Sequence, residues 1–144
     1  MYLLSHRFPN LFRPPPPPDS YVCPFSSHAQ LLNKDGIEVD LLTYNVTSFD
    51  ETTGLVEWVE DARTVRSIGD AGGIRKFLQL MSDTPENQRK LKRFQNSLAF
   101  YSVANLLLAF GDRHRDNMMV CRDGRFFHID FGYIFGVEPK PFCQ

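Results

Sequence analysis

The apolar positions change their spacing along this chain, and each change predicts a different element. Between Ile37 and Phe49, β-branched and aromatic residues fall in rough alternation, the period of a strand. Leu55 to Val59 alternates again around Glu57, and Asp50-Glu51-Thr52-Thr53-Gly54 reads as the turn between the two. Residues 61–110 read as helical. Gly72-Gly73 opens a short helix over Ile74, Phe77, Leu78 and Met81. Asp83-Thr84-Pro85-Glu86 is a helix start, with a capping residue and a proline inside the first turn. From Asn87 the apolar residues first follow one face and then fill every side. Phe94, Leu98, Tyr101 and Leu108 share one face, and Phe100, Val103, Leu107 and Phe110 another. A helix apolar all round is buried, so burial is expected here, with Gly111 as its terminator.

Beyond Gly111 the pattern shortens to two apolar-leaning runs, Met118–Cys121 and Arg125–Ile129, separated by Asp123-Gly124. That dipeptide is a strong hairpin signal. A two-residue turn there pairs Arg122 with Arg125 and Cys121 with Phe126. Counting outward, Asn117 falls opposite Asp130. Directly opposed residues have Cβ atoms roughly 5 Å apart on one face. An amide oxygen and a carboxylate would then converge, both hard ligands of the kind Mg²⁺ prefers. A slip of one residue would destroy that pairing. In this register His128 faces outward beside Met119 and reads as structural.

These residues also carry a resemblance. Asp112-Arg113-His114-x-x-Asn117, followed by Asp130-Phe131-Gly132, resembles the catalytic loop and magnesium loop of the phosphatidylinositol 3- and 4-kinase superfamily. The stretch Gly132 to Pro141 is similar to the start of the activation loop in class III phosphoinositide 3-kinases. Gly54-Leu55-Val56-Glu57-Trp58-Val59 resembles the hinge between the two kinase lobes, and Thr43-Tyr44 the strand leading to it. The resemblance spans about residues 37–144. It implies an α+β fold: the end of an N-lobe sheet and the hinge, then a helical C-lobe with the catalytic loop and a β-hairpin.

The resemblance also implies roles. Asp130 would bind magnesium bridging the nucleotide phosphates, and Asn117 a second ion. His114 corresponds to the family's proposed general base on the acceptor hydroxyl; Asp112 is the other candidate, or a partner that orients His114. Imidazole is the side chain that titrates nearest neutrality, which suits proton abstraction. Glu57 and Val59 would offer a backbone carbonyl and N–H to adenine, with Tyr44 and Val56 lining the pocket behind it and Trp58 forming a wall. Arg113 would touch phosphate or brace the loop; Arg115 and Asp116 occupy variable positions and read as solvated. The implied cofactors are ATP and Mg²⁺. The implied acceptor is phosphatidylinositol at a membrane surface, with the 3-position favoured. Glu57-Trp58-Val59 is also similar to the phosphatidylinositol 3-kinase-related protein kinases, so a protein acceptor stays open. A non-catalytic binding fragment stays open too. The family's glycine-rich loop and phosphate-binding lysine have no counterpart in residues 1–36, and Lys34 beside Asp35-Gly36 is no substitute. Negligible ATP turnover is therefore expected of these 144 residues alone.

Composition narrows the setting. A net charge of −1 leaves no nucleic-acid footprint. Three widely spaced cysteines without a C-x-x-C pair argue against a disulfide framework or zinc site and for a reducing compartment. Neither a secretory signal nor a run of ~18 apolar residues is present. The expected location is cytoplasmic, and the resemblance adds peripheral contact with endomembranes. Residues 1–36 read as a low-complexity leader or linker, in which Pro14 to Pro18 imposes a polyproline II stretch. A regulatory subunit is not specified by these residues.

Overall fold

Local alternation around Val46 and Leu55 does produce paired strands, in an α+β chain whose computed structural model describes residues 2–5, 21–22, 33–34, 39–49 and 53–137. The chain divides into two compact units. One comprises Met1–Ile37 and Thr43–Glu60, the other Glu38–Leu42 and Asp61–Gln144.

In the first unit, strands β1 (Tyr2–Ser5), β2 (Tyr21–Val22), β3 (Asn45–Ser48) and β4 (Thr53–Val56) form an antiparallel sheet in the order β1-β4-β3-β2. Val46 pairs with Val56, and Ser48 with Gly54. Strands β1 and β2 fall within the stretch read as a leader; Pro14–Pro18 lie outside the described residues. The expected strand from Ile37 is shorter than its pattern, because residues 39–44 carry no regular structure. Ile37 itself lies outside the described residues. The reason is a competing set of contacts. Val39 and Leu42 are buried, and Asp40 forms ion pairs with Arg93 at 3.1 Å and Arg125 at 3.8 Å, all within the second unit. Strand β4 claims Thr53 and Gly54 from the expected turn and stops at Val56; residues 50–52 of that turn lie outside the described residues.

In the second unit, β5 (Ala62–Thr64), β6 (Met118–Cys121) and β7 (Phe126–His128) form an antiparallel sheet in that order. Among the described residues three helices accompany it: α1 (Val65–Asp70), α2 (Ile74–Phe77) and α3 (Pro85–Leu108). Strand β5 was not expected, since its three residues have no apolar period and pair with β6 from far along the chain. Helix α2 starts at Gly73, whose φ of 90° suits glycine, and stops at Phe77. Leu78 is buried, but Met81 lies beyond the helix and is exposed. Helix α3 begins as its residues require. Thr84 Oγ accepts from the Asn87 N–H at 3.2 Å, and Pro85 takes the first position, where no N–H is needed. It ends earlier than expected: Ala109, not Gly111, adopts the left-handed cap at φ 45°.

Burial of α3 also departs from expectation. Ser97, Tyr101 and Ala104 are buried, whereas Val103, Leu106 and Leu107 are 57%, 81% and 75% exposed. The apolar residues surround the helix, but the hairpin packs along one face. There Tyr101 meets Phe126 with ring centroids 5.9 Å apart, and Phe94 meets Phe126 at 6.2 Å.

The hairpin forms where predicted, with its register displaced by one. Val120 pairs with Phe126 and Met118 with His128, so Asn117 stands opposite Ile129, not Asp130. The cause is the turn. Its loop holds Arg122, Asp123 and Gly124, with Gly124 at φ 100° and its N–H on the Cys121 carbonyl at 3.0 Å. Asp123 Oδ1 then accepts from the Arg125 N–H at 3.1 Å. The third loop residue arises because glycine tolerates the left-handed conformation that follows the turn. Packing fixes the choice too, since a Cβ on Gly124 would stand 2.2 Å from the Lys90 carbonyl oxygen of α3. The register leaves the Phe126 N–H pointing out of the hairpin. Ser97 Oγ of α3 accepts it at 2.9 Å, so this edge of the sheet is satisfied by a helix side chain.

Candidate active site

Helix α3 delivers the chain into residues 110–117, and β7 delivers it into residues 129–132. Both segments meet at the helix end. The Gly111 N–H donates to the Tyr133 carbonyl at 2.8 Å. Phe135 and Gly136 donate to the carbonyls of Leu108 and Ala109 at 2.8 and 3.0 Å. The stretch after Asp130-Phe131-Gly132 thereby satisfies acceptors that the end of α3 leaves without intrahelical partners.

Arg113 locks the two segments together. Its Nε donates to the Gly111 carbonyl at 2.9 Å, one terminal nitrogen to the Ile129 carbonyl at 2.9 Å, and the other to the Asp130 carbonyl. The guanidinium also lies 5.7 Å from the Phe131 ring centroid and 6.0 Å from that of Phe110. The ladder ends here for the same reason. Ile129 N–H still reaches the Asn117 carbonyl at 3.1 Å, but the Asn117 N–H turns to the His114 carbonyl at 3.0 Å, and Arg113 takes the Ile129 oxygen. Of the two roles open to Arg113, these bonds make it a brace.

The expected convergence of Asn117 and Asp130 through direct strand pairing does not occur. Asp130 has left strand geometry, with φ 57°, so strand alternation no longer says which way it faces. Asp112 is left-handed as well, at φ 54°. Such conformations cost energy for residues other than glycine, least for Asp and Asn. Asp130 Oδ1 accepts from the Gly132 N–H at 3.2 Å, and a Cβ on residue 132 would press to 3.3 Å from that oxygen. The glycine therefore lets the main chain approach the carboxylate. Asn117 is buried, and its Nδ2 donates to the Asp112 carbonyl at 2.9 Å, which leaves Oδ1 as the oxygen end of the amide. An amide oxygen and a carboxylate fit a hard divalent cation that takes its remaining ligands from phosphates and water.

His114 is flanked by two carboxylates. Its Nε2 lies 3.8 Å from Asp112 Oδ1, and its Nδ1 lies 3.7 Å from Asp116 Oδ2. The Asp116 N–H donates to Nδ1 at 3.2 Å. Asp116, expected to be solvated, is partly exposed, and it also accepts Arg66 Nε on both carboxylate oxygens at 2.8 and 2.7 Å. The two residues are 50 positions apart. No local pattern marks the pair; the opposite charges alone were visible, and they are common. The residues expected to meet adenine lie in the first unit. Tyr44 is buried, Val56 and Val59 are half-buried, and Glu57 is exposed. Glu57 is well fixed: its N–H donates to the Asn45 carbonyl at 2.9 Å, and its carboxylate accepts from Asn45 N–H and Nδ2, each at 2.8 Å.

His128 does not face outward. It is buried against Tyr101, with ring centroids 4.7 Å apart, and against Phe126 at 5.3 Å. Burial, and then the positive Arg113, push its imidazole from 6.5 down to about 4. The unfolded chain takes up this proton below the ordinary value while the folded chain does not. The associated stability is thus complete above pH 6.5 and lost as pH falls toward 4, by up to about 3 kcal/mol. Urea midpoints should fall across that window, and His128→Phe should flatten the fall. An equally steep fall in the variant would remove His128 as its source.

The family model described as phosphatidylinositol 3- and 4-kinase matches residues 71–143. The chain is similar to the probable phosphatidylinositol 3-kinase VPS34 homolog of Encephalitozoon cuniculi, with 41% identity over 111 residues, 72% of this chain and 23% of that protein. It is 33% identical over 120 residues to phosphatidylinositol 3-kinase VPS34 of Saccharomyces cerevisiae, covering 78% of this chain and 14% of that protein. The root isoform of phosphatidylinositol 3-kinase from Glycine max is 32% identical over the same length, 14% of that protein. The chain thus spans less than a quarter of the length of these curated relatives.

Proposed function

The chain belongs to the phosphatidylinositol 3- and 4-kinase family, and from that premise we propose that it carries the phosphoryl-transfer residues of a phosphatidylinositol 3-kinase. The observation that carries the proposal is the Arg113 brace, which holds the Asp112–Asn117 loop against Ile129 and Asp130. Phosphoryl transfer asks the protein mainly for positioning and charge neutralisation, and a rigid junction of these two segments supplies positioning.

ATP is the phosphate donor in this reading. Asn117 Oδ1 and the Asp130 carboxylate hold magnesium, which when bound neutralises charge on the phosphates. Asp112 and His114 handle the proton of the acceptor hydroxyl. The backbone of Glu57 and Val59 meets adenine, with Tyr44 and Val56 behind it. The relatives' names support phosphatidylinositol as the acceptor and the 3-position as the site. Contact with lipid at the surface of endomembranes belongs to the same reading; among the described residues no helix is long and apolar enough to cross a membrane. Incubation of the full-length polypeptide with radioactive ATP, magnesium and phosphatidylinositol vesicles tests the position. Deacylated product should carry phosphate at the 3-position. Label found only at the 4-position would move the chain to the other branch of its family.

A further inference from the structure

We propose that Arg66, acting through the Arg115-Asp116 peptide, positions His114 and selects which of its ring nitrogens carries the proton. The proposal rests on the reading of His114 as part of the transfer site. Its starting point is the Asp116 N–H, 3.2 Å from His114 Nδ1. An N–H donates only to an unprotonated ring nitrogen. The neutral ring held this way carries its proton on Nε2, the nitrogen 3.8 Å from Asp112 Oδ1. In this state the His114 Nε2–H donates to the acceptor hydroxyl and orients it, and Asp112 takes the hydroxyl proton.

The peptide that imposes this state is itself held, and from one side. The Arg66 N–H donates to the Arg115 carbonyl at 3.1 Å, and Arg66 Nε bonds both oxygens of Asp116. Arg66 stands in the first turn of α1, whose start is capped by Thr64 Oγ accepting from Ser67 at 3.2 Å. A main-chain bond and a forked side-chain bond thus fix consecutive residues of the loop. Arg66 and Asp116 side chains are 52% and 42% exposed. Exposed pairs of this kind contribute only about 0–1 kcal/mol to stability, so their loss should leave the fold intact and change the orientation of His114. Misplacing a reacting group costs rate more than binding.

The first test is spectroscopic and independent of activity. Long-range proton–nitrogen correlation on the ¹⁵N-histidine-labelled chain at alkaline pH identifies the protonated ring nitrogen; His114→Gln assigns the signal. Wild type should show His114 protonated on Nε2. Arg66→Ala should shift it toward a mixture of both tautomers without loss of the melting transition. Asp116→Asn, which keeps the N–H but discharges the ion pair, should shift it in the same direction. Wild-type ring signals in both variants would overturn the proposal, and so would unfolding of both, since the pair would then be purely structural. The second test is kinetic, in the full-length polypeptide. Arg66→Ala should lower kcat by about 10-fold to 10²-fold, with KM for ATP changed less than about twofold. An unchanged kcat would overturn the positioning role. If wild type transfers no phosphate while the ring state still follows Arg66, the functional reading fails and the positioning of His114 stands.

Discussion

Asp130→Ala should abolish phosphoryl transfer while leaving the protein folded. The carboxylate accepts a local bond from the Gly132 N–H, on Oδ1 at 3.2 Å, and losing such a bond costs about 1 kcal/mol. The loss in rate should be far larger. A metal-held charge is worth several kcal/mol to a transferring phosphoryl group. Taking about 4 kcal/mol, the rate falls by about 10³-fold or more. His114→Ala should follow with ~10²–10⁴-fold, because it removes a group set against the acceptor hydroxyl, and Arg115→Ala should be mild. Initial rates with magnesium-ATP and phosphatidylinositol vesicles, alongside melting curves, separate these cases. Damage from Arg115→Ala equal to that from His114→Ala would show that the roles along the loop are misassigned.

Arg113→Ala should instead remove stability and activity together. It strips donors from the carbonyls of Gly111, Ile129 and Asp130 at once. Bonds from a charged donor contribute about 1.5–3 kcal/mol each, although not additively, so a loss on the order of 3 kcal/mol or more is expected. Arg113→Lys keeps the charge but cannot reach three acceptors with a planar fork. It should therefore lose most of the activity while recovering part of the stability. Urea unfolding and initial rates on both variants provide the check. Full activity in Arg113→Lys would mean that charge near the site matters and the brace does not.

Much of the second unit was legible from short signals. Thr84 and Pro85 placed the start of α3 because a cap and a missing N–H have local causes. Asp123-Gly124 placed the hairpin for the same reason. Its register was not legible, because the extra loop residue depends on Gly124 settling beside Lys90 of α3, a contact no turn signal contains. Hydrophobicity alone also overstated the burial of α3: Leu106 and Leu107 are apolar yet exposed, and composition does not say which side of a helix meets a partner. Strand β5 and the Arg66–Asp116 tie depend on residues far apart along the chain. The motif itself named Asp112, His114, Asn117 and Asp130 as candidates. How they are held is not in the motif, because it depends on Arg113 crossing from one segment to the other.

The proposed reaction is transfer of phosphate from ATP to an inositol lipid by these residues. Its most direct test is competitive. The full-length polypeptide is incubated with radioactive ATP, magnesium, mixed vesicles containing phosphatidylinositol and a peptide library, beside Asp130→Ala. Label should enter phosphatidylinositol, and the variant should label nothing. Asp130-dependent label in peptides and none in lipid would contradict the account and make the chain part of a protein kinase.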